Sequence, residues 1–168
     1  MKKLIIITAI LCFGSIGFGQ TKVGFINSEA ITKELPEAQD AQQKLDNLVR
    51  DWQGELKKIE DEWKKKYDEY ERNKLIMSDQ TRAGKEKELV ELENKISQFR
   101  EQKFGQNGEL FQKQEEFMKP IQNKIFNAIK IVAEEEEYDF IFDKSGEILL
   151  LYANEKHDLT NLVLEVLK

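Results

Sequence analysis

The chain has 168 residues, of which 40% are hydrophobic and 35% charged, with a formal net charge of −6, one cysteine and one histidine. That acidity argues against nucleic acid as a partner and against broad attraction to anionic head groups, and one cysteine excludes a disulfide framework. Residues 1–19 read as a cleaved signal peptide: Lys2 and Lys3 supply a positive start, residues 4–13 are apolar, and Gly17 and Gly19 flank a cut before Gln20. Ten apolar residues fall short of the ~20 that a spanning helix needs. Cys12 does not suit lipid attachment, because Leu11 stands where a small residue is wanted. Removing the leader takes away the cysteine and two lysines and moves the net charge to −8. No later apolar stretch is long enough to cross a bilayer, so a soluble exported domain over residues 20–168 is expected.

Residues 21–27 alternate apolar Val23 and Phe25 with outward neighbours and predict a strand. Ser28 is the expected N-cap of a short helical turn that ends near Leu35, and Pro36 suits the first turn of a new helix. From there Leu45, Leu48, Trp52, Leu56, Ile59, Trp63, Tyr67 and Tyr70 follow at spacings of three and four, an eleven-residue rhythm close to that of a straight helix. The pattern breaks near residues 76–79, where Ser78 can cap a second helix. Leu89, Leu92, Ile96 and Phe99, then Leu110, Met118, Ile121, Ile125, Ile129 and Val132, carry its stripe, with Phe104, Phe111, Phe117 and Phe126 beside it. Two striped helices joined by a short polar turn predict an antiparallel hairpin. Residues 37–75 as helix would span ~58 Å, against a radius of gyration of ~15 Å for a compact domain of this size. The hairpin must project as an arm.

Beyond the arm, residues 138–143 and 148–152 predict a β-hairpin, with Gly146 at the positive-φ position of its turn. Leu159, Leu162, Val163 and Val166 predict a last amphipathic helix capped by Asp158 or Thr160. So few residues cannot close a core alone, and the strands are expected to assemble across subunits. The expected fold is mainly α with a small β body: residues 20–48 and 109–168 as body, and about 49–108 as a coiled-coil arm.

The residues then resemble the OmpH/Skp family. The resemblance rests on Val23-Gly24-Phe25-Ile26-Asn27-Ser28, Leu35-Pro36-Glu37-Ala38 and residues 41–45 near the start. Near the end it rests on Lys119-Pro120-Ile121, Ile125, residues 128–129 and 132–133, residues 138–146 and Asp158-Leu159-Thr160. It covers essentially all of residues 20–168. It implies a homotrimer with a β body, whose strand positions here are Val23, Phe25, Phe140, Phe142, Leu149 and Leu151. It further implies a periplasmic, ATP-independent holding chaperone that takes unfolded outer-membrane β-barrel proteins into a cavity between three arms. No cofactor, no nucleic acid and at most peripheral membrane contact go with that reading. Well-known members carry basic arms, whereas residues 50–104 here hold fourteen Lys or Arg and fourteen Asp or Glu. Charge attraction to acidic clients or lipopolysaccharide therefore does not carry over.

Aromatics are the candidate client contacts: Trp63 and Tyr70 on the outgoing stripe, and Phe99, Phe104 and Phe111 on the return, the last two sharing a face seven residues apart. Their bland role is the seam between the helices. Gly54, Gly105 and Gly108 fall at one height of the hairpin, each costing roughly 1 kcal/mol inside a helix, and form a candidate hinge. Close helix packing is the alternative. Pro120 should kink the returning helix where arm meets body. Glu134 to Glu137 point around a helix and read as a solvated run, and His157 as a loop residue. No nucleophile, phosphate-binding loop or metal-spaced histidine pair predicts an enzyme. A structural coiled-coil scaffold of the envelope, without clients, is the alternative function.

Overall fold

The computed structural model describes residues 21–146 and 150–168. The leader with Cys12, the cut before Gln20, and Leu149 of the expected second hairpin strand lie outside the described residues.

Strand β1 (Val23–Ile26) leads directly into helix α1 (Ser28–Glu34). The cap is Asn27 rather than Ser28: its side-chain oxygen accepts from the Ala30 N–H at 2.9 Å. Ser28 becomes the first helical residue, and its hydroxyl and N–H turn to Asp143 instead. Leu35 is extended and buried, as the residue before a proline should be, and Pro36 opens α2 (Pro36–Asn73). At 38 residues α2 is ~57 Å long. Ser78 caps α3 (Asp79–Phe104) by accepting from the Thr81 N–H at 3.2 Å. Cross-hairpin pairs Lys66–Glu88, Tyr70–Glu86, Lys85–Glu69 and Trp52–Phe104 are all centred on residues 77–78, which fixes an antiparallel register about the tip.

The returning helix is not continuous. Helix α3 ends at Phe104, and α4 (Glu109–Glu135) begins after a connection spanning residues 105–108. A methyl group at Gly105 would collide with the Glu101 carbonyl oxygen, so the chain turns there in a way only a residue without Cβ fits. Helix α4 then runs through Pro120 as one element. It delivers Ile121, Ile125, Ala128 and Val132, spaced four, three and four, against α1, the root of α2 and the last helix, α5 (Thr160–Leu167). With Ile26, Ile31, Leu35, Ala38, Ala41, Leu159, Val163 and Leu167 these form one core within a single chain. Half of the body's core is therefore supplied by the roots of α2 and the returning helix α4, a source that counting strands and the last helix alone overlooks.

Among the described residues the expected β-hairpin is not formed. Strand β2 (Phe140–Asp143) pairs in parallel with β1, Val23 opposite Phe140 and Ile26 opposite Asp143, with the whole arm as the crossover. Residues 150–152 form no strand. The turn after β2 is fixed by a side chain: Asp143 accepts from Ser145 N–H at 3.0 Å, from Ser145 Oγ at 2.6 Å, and from Ser28 N–H at 3.1 Å. Gly146 has no positive φ, because that clasp ties the turn to α1 rather than to a returning strand. A 3₁₀ turn at Glu155–His157 then leads to α5. Asp158 accepts from the Thr160 N–H at 2.9 Å and pairs with Lys144 at 2.7 Å.

Candidate functional site

Most of the predicted arm aromatics are spent on the seam. Phe104 meets Trp52 edge-on at 6.0 Å, and the Lys103 ammonium sits 4.9 Å over the same indole. Trp63 stacks on Tyr67, one turn on along the same helix, at 5.0 Å, and Tyr70 donates its hydroxyl across the hairpin to Glu86. Trp63, Tyr70, Phe99 and Phe104 are thus partly buried, while Trp52, Leu89 and Leu92 are buried outright. Charge pairs line the seam edges: the hydrogen bond from Lys66 to Glu88 raises the lysine's pKa and lowers the carboxylate's. An open groove of about 620 Å³ runs beside Trp63, Ile96 and Arg100, and the buried Trp63 Nε1 has no acceptor among the described residues.

Phe111 stands apart, with 47% of its surface exposed on α4. It does not share a face with Phe104, because the seven-residue rule holds only along one unbroken helix and residues 105–108 interrupt it. Phe126, not singled out in the sequence, is 67% exposed fifteen residues further along the same helix. Four helical turns separate the two, leaving them within about 60° around the axis and ~22 Å apart. The signal was available: Phe126 lies off the buried rhythm of Ile121, Ile125, Ala128 and Val132. The arm tip adds Leu75 and Ile76, both almost fully exposed. Between α2 and α4 an open groove of about 360 Å³ is floored by Ala41, Phe117, Pro120 and Ile121. On its rim Lys124 hydrogen-bonds Glu37 and holds that carboxyl below its ordinary value.

The predicted body positions divide. Phe25 is 6% exposed and is used up by its own chain, whereas Val23, Phe140 and Phe142 point outward from the two-stranded sheet. Leu151, at 87%, and Tyr152 are also open. The outer edge of β1 is bridged to Asp158 and Leu159, the Leu159 N–H donating to the Phe25 carbonyl at 2.8 Å, whereas the outer edge of β2 has no partner among the described residues. An open strand edge beside three outward apolar side chains is an unfinished structure in water. Gly54 lies inside α2 with open space around it, Gly105 and Gly108 flank the break in the return, and Pro120 lies inside α4. Among the described residues no group of His, Cys, Asp or Glu is placed to hold a metal ion, and no helix is long and apolar enough to cross a membrane. The surfaces on offer are apolar and aromatic, suited to binding.

A two-stranded α+β body that extends a long helical hairpin matches the fold of an OmpH-like protein from Caulobacter crescentus CB15, known as a crystal structure, with a TM-score of 0.70 at 14% identity over 92% of this chain and 88% of that one. Residues 22–167 match the family described as outer membrane protein (OmpH-like), and the chain belongs to that OmpH/Skp family. Chaperone protein Skp of Photorhabdus luminescens is 24% identical over the full length of both chains. Chaperone protein Skp of Vibrio cholerae is 29% identical over 88% of this chain and 83% of its own.

Proposed function

We propose that this protein is an ATP-independent holding chaperone that keeps unfolded outer-membrane β-barrel proteins soluble in the periplasm. In this reading it is a homotrimer, with residues 20–48 and 109–168 as body and about 49–108 as arms around a shared cavity. The observation that carries the reading is the aromatic surface left over after the seam is filled, above all Phe111 and Phe126 on one side of α4. Large rigid rings without fixed hydrogen-bond geometry can hold chains of many sequences, which a client set defined only by being unfolded requires. The trimer reading is supported by the outward Val23, Phe140 and Phe142 and the open outer edge of β2, which neighbouring copies would cover. The formally neutral arm implies capture by apolar contact, so binding should change little between low and high salt.

A client-free envelope spacer is favoured by one fact: Trp63, Tyr70, Phe99 and Phe104 are largely consumed between the helices. The readings separate in one assay. A urea-unfolded β-barrel protein is diluted into buffer with the purified protein, and light scattering follows aggregation. Near-stoichiometric suppression, weakened several-fold by Phe111→Ala with Phe126→Ala at unchanged helix content, is the expected result. No suppression by the folded wild-type protein would sink the holding function and leave the spacer.

A further inference from the structure

We propose that Asn107–Gly108 is a site of spontaneous backbone modification, where the asparagine cyclises on the following amide and opens to aspartate and isoaspartate. Of all the asparagines in the chain, only Asn107 is followed by glycine. It lies exposed in the connection between α3 and α4. Its carboxamide makes no hydrogen bond among the described residues; only its main-chain oxygen accepts one, from Gln112 Nε2 at 3.2 Å. The other asparagines are held differently. Asn47, Asn94, Asn123 and Asn127 lie inside helices, where the next N–H is committed to the ladder, and Asn161 lies in the first turn of α5 and is followed by the branched Leu162. Asn27 and Asn154 accept from Ala30 and Lys156, and Asn73 donates to Glu69.

The chemistry needs only water. The Gly108 nitrogen gives its proton to solvent and attacks Asn107 Cγ, a new N–C bond forms, and ammonia leaves with the side-chain nitrogen. Water then opens the cyclic imide at one carbonyl or the other. Asparagine is thermolabile for this reason, and a following glycine leaves the attacking nitrogen unshielded. Two things restrain it here: Gly108 is buried, and its N–H donates to the Gly105 carbonyl oxygen at 2.9 Å. That turn must open before cyclisation, so the rate of modification reports how often the arm's break opens. The product adds one negative charge beside Glu109 at the start of α4, and the isoaspartyl form adds a methylene to the main chain of the connection.

The test is to hold the purified protein in warm neutral buffer, cleave after lysine, and follow the fragment between Lys103 and Lys113 by mass and chromatography. A synthetic peptide of residues 104–113 in the same buffer supplies the unrestrained rate. Expected are the mass gain of an amide-to-acid change and two product peaks, at a rate within about a hundredfold of the peptide's, the slowing that local opening of the connection would impose. The same fragment from an Asn107→Ser variant should stay unchanged. Conversion slower than that range, or a mass gain that persists in Asn107→Ser, would overturn the proposal.

Discussion

Helix α4 ends against two local rules at once. Its last residues are Glu134 and Glu135, the run continues through Glu136 and Glu137, and its final turn holds no basic residue, although carboxylates are disfavoured at the negative end of a helix. The Tyr138 N–H closes back on the Ala133 carbonyl at 2.9 Å, a helix ending that requires the intervening residue to be left-handed. That residue is Glu137, at φ 54°, where glycine is the usual occupant. Lys22 offsets part of the cost, donating its ammonium to the Glu136 carbonyl and lying 4.2 Å over the Tyr138 ring. Glu137→Gly should therefore raise stability by up to about 1 kcal/mol, read as a higher urea midpoint. Asp143 and Asp158 belong to the same scale. Burial pushes both carboxyls up, but hydrogen bonds from Ser28 and Ser145 to the first, and from Lys144 and Thr160 to the second, outweigh it and leave both below the ordinary 3.8. A carboxylate with a depressed folded-state pKa contributes stability that is complete above its unfolded value and lost as pH falls through the folded one. The urea midpoint should be flat near neutrality and fall below about pH 4. Asp143→Asn should be weaker at neutral pH and show a shallower acid decline.

At the scale of elements, the two glycine-bearing sides of the hairpin make opposite predictions. Gly54 sits in the interior of α2 with nothing within 4 Å of where a methyl would stand, so Gly54→Ala should stabilise by about 1 kcal/mol through helix propensity alone. Gly105→Ala should destabilise, because its methyl meets the Glu101 carbonyl oxygen and carboxylate. Thermal melts of the pair would separate them by sign. The outgoing helix was legible almost to the residue, since Pro36 opens it and one unbroken rhythm of threes and fours carries it to Asn73. The interruption of the return was not, because an interior glycine costs a helix only about 1 kcal/mol and is tolerated. What ends α3 is the local path of the chain at residues 105–108, which no residue spacing encodes.

For the whole molecule, the separation of core and outward apolar surface carries the prediction. The core of α1, α4 and α5 lies within one chain, while Phe140, Phe142 and Leu151 lie outside it. On the proposed trimer, Phe140→Ser with Leu151→Ser should therefore leave far-ultraviolet helix content unchanged and reduce the mass from three chains to one by size-exclusion light scattering. Suppression of client aggregation should fall with it. A trimer that survives both substitutions would place the assembly surface elsewhere, with Phe126 next to consider.

The sequence by itself determined the long helices, the tip capped by Ser78 and the arm-like projection. These follow from periodicity, capping and length, all of which act over a few residues. Only the tertiary structure decided that β2 pairs in parallel with β1, because a strand's partner is chosen across the fold and not by its neighbours in the chain. It also decided which aromatics remain available. Trp63 and Phe111 look alike in sequence, but burial is a property of what lies around a side chain: Trp63 lies against Tyr67 of its own helix and beside Ile96 of α3, whereas Phe111 follows the break in the return and is 47% exposed.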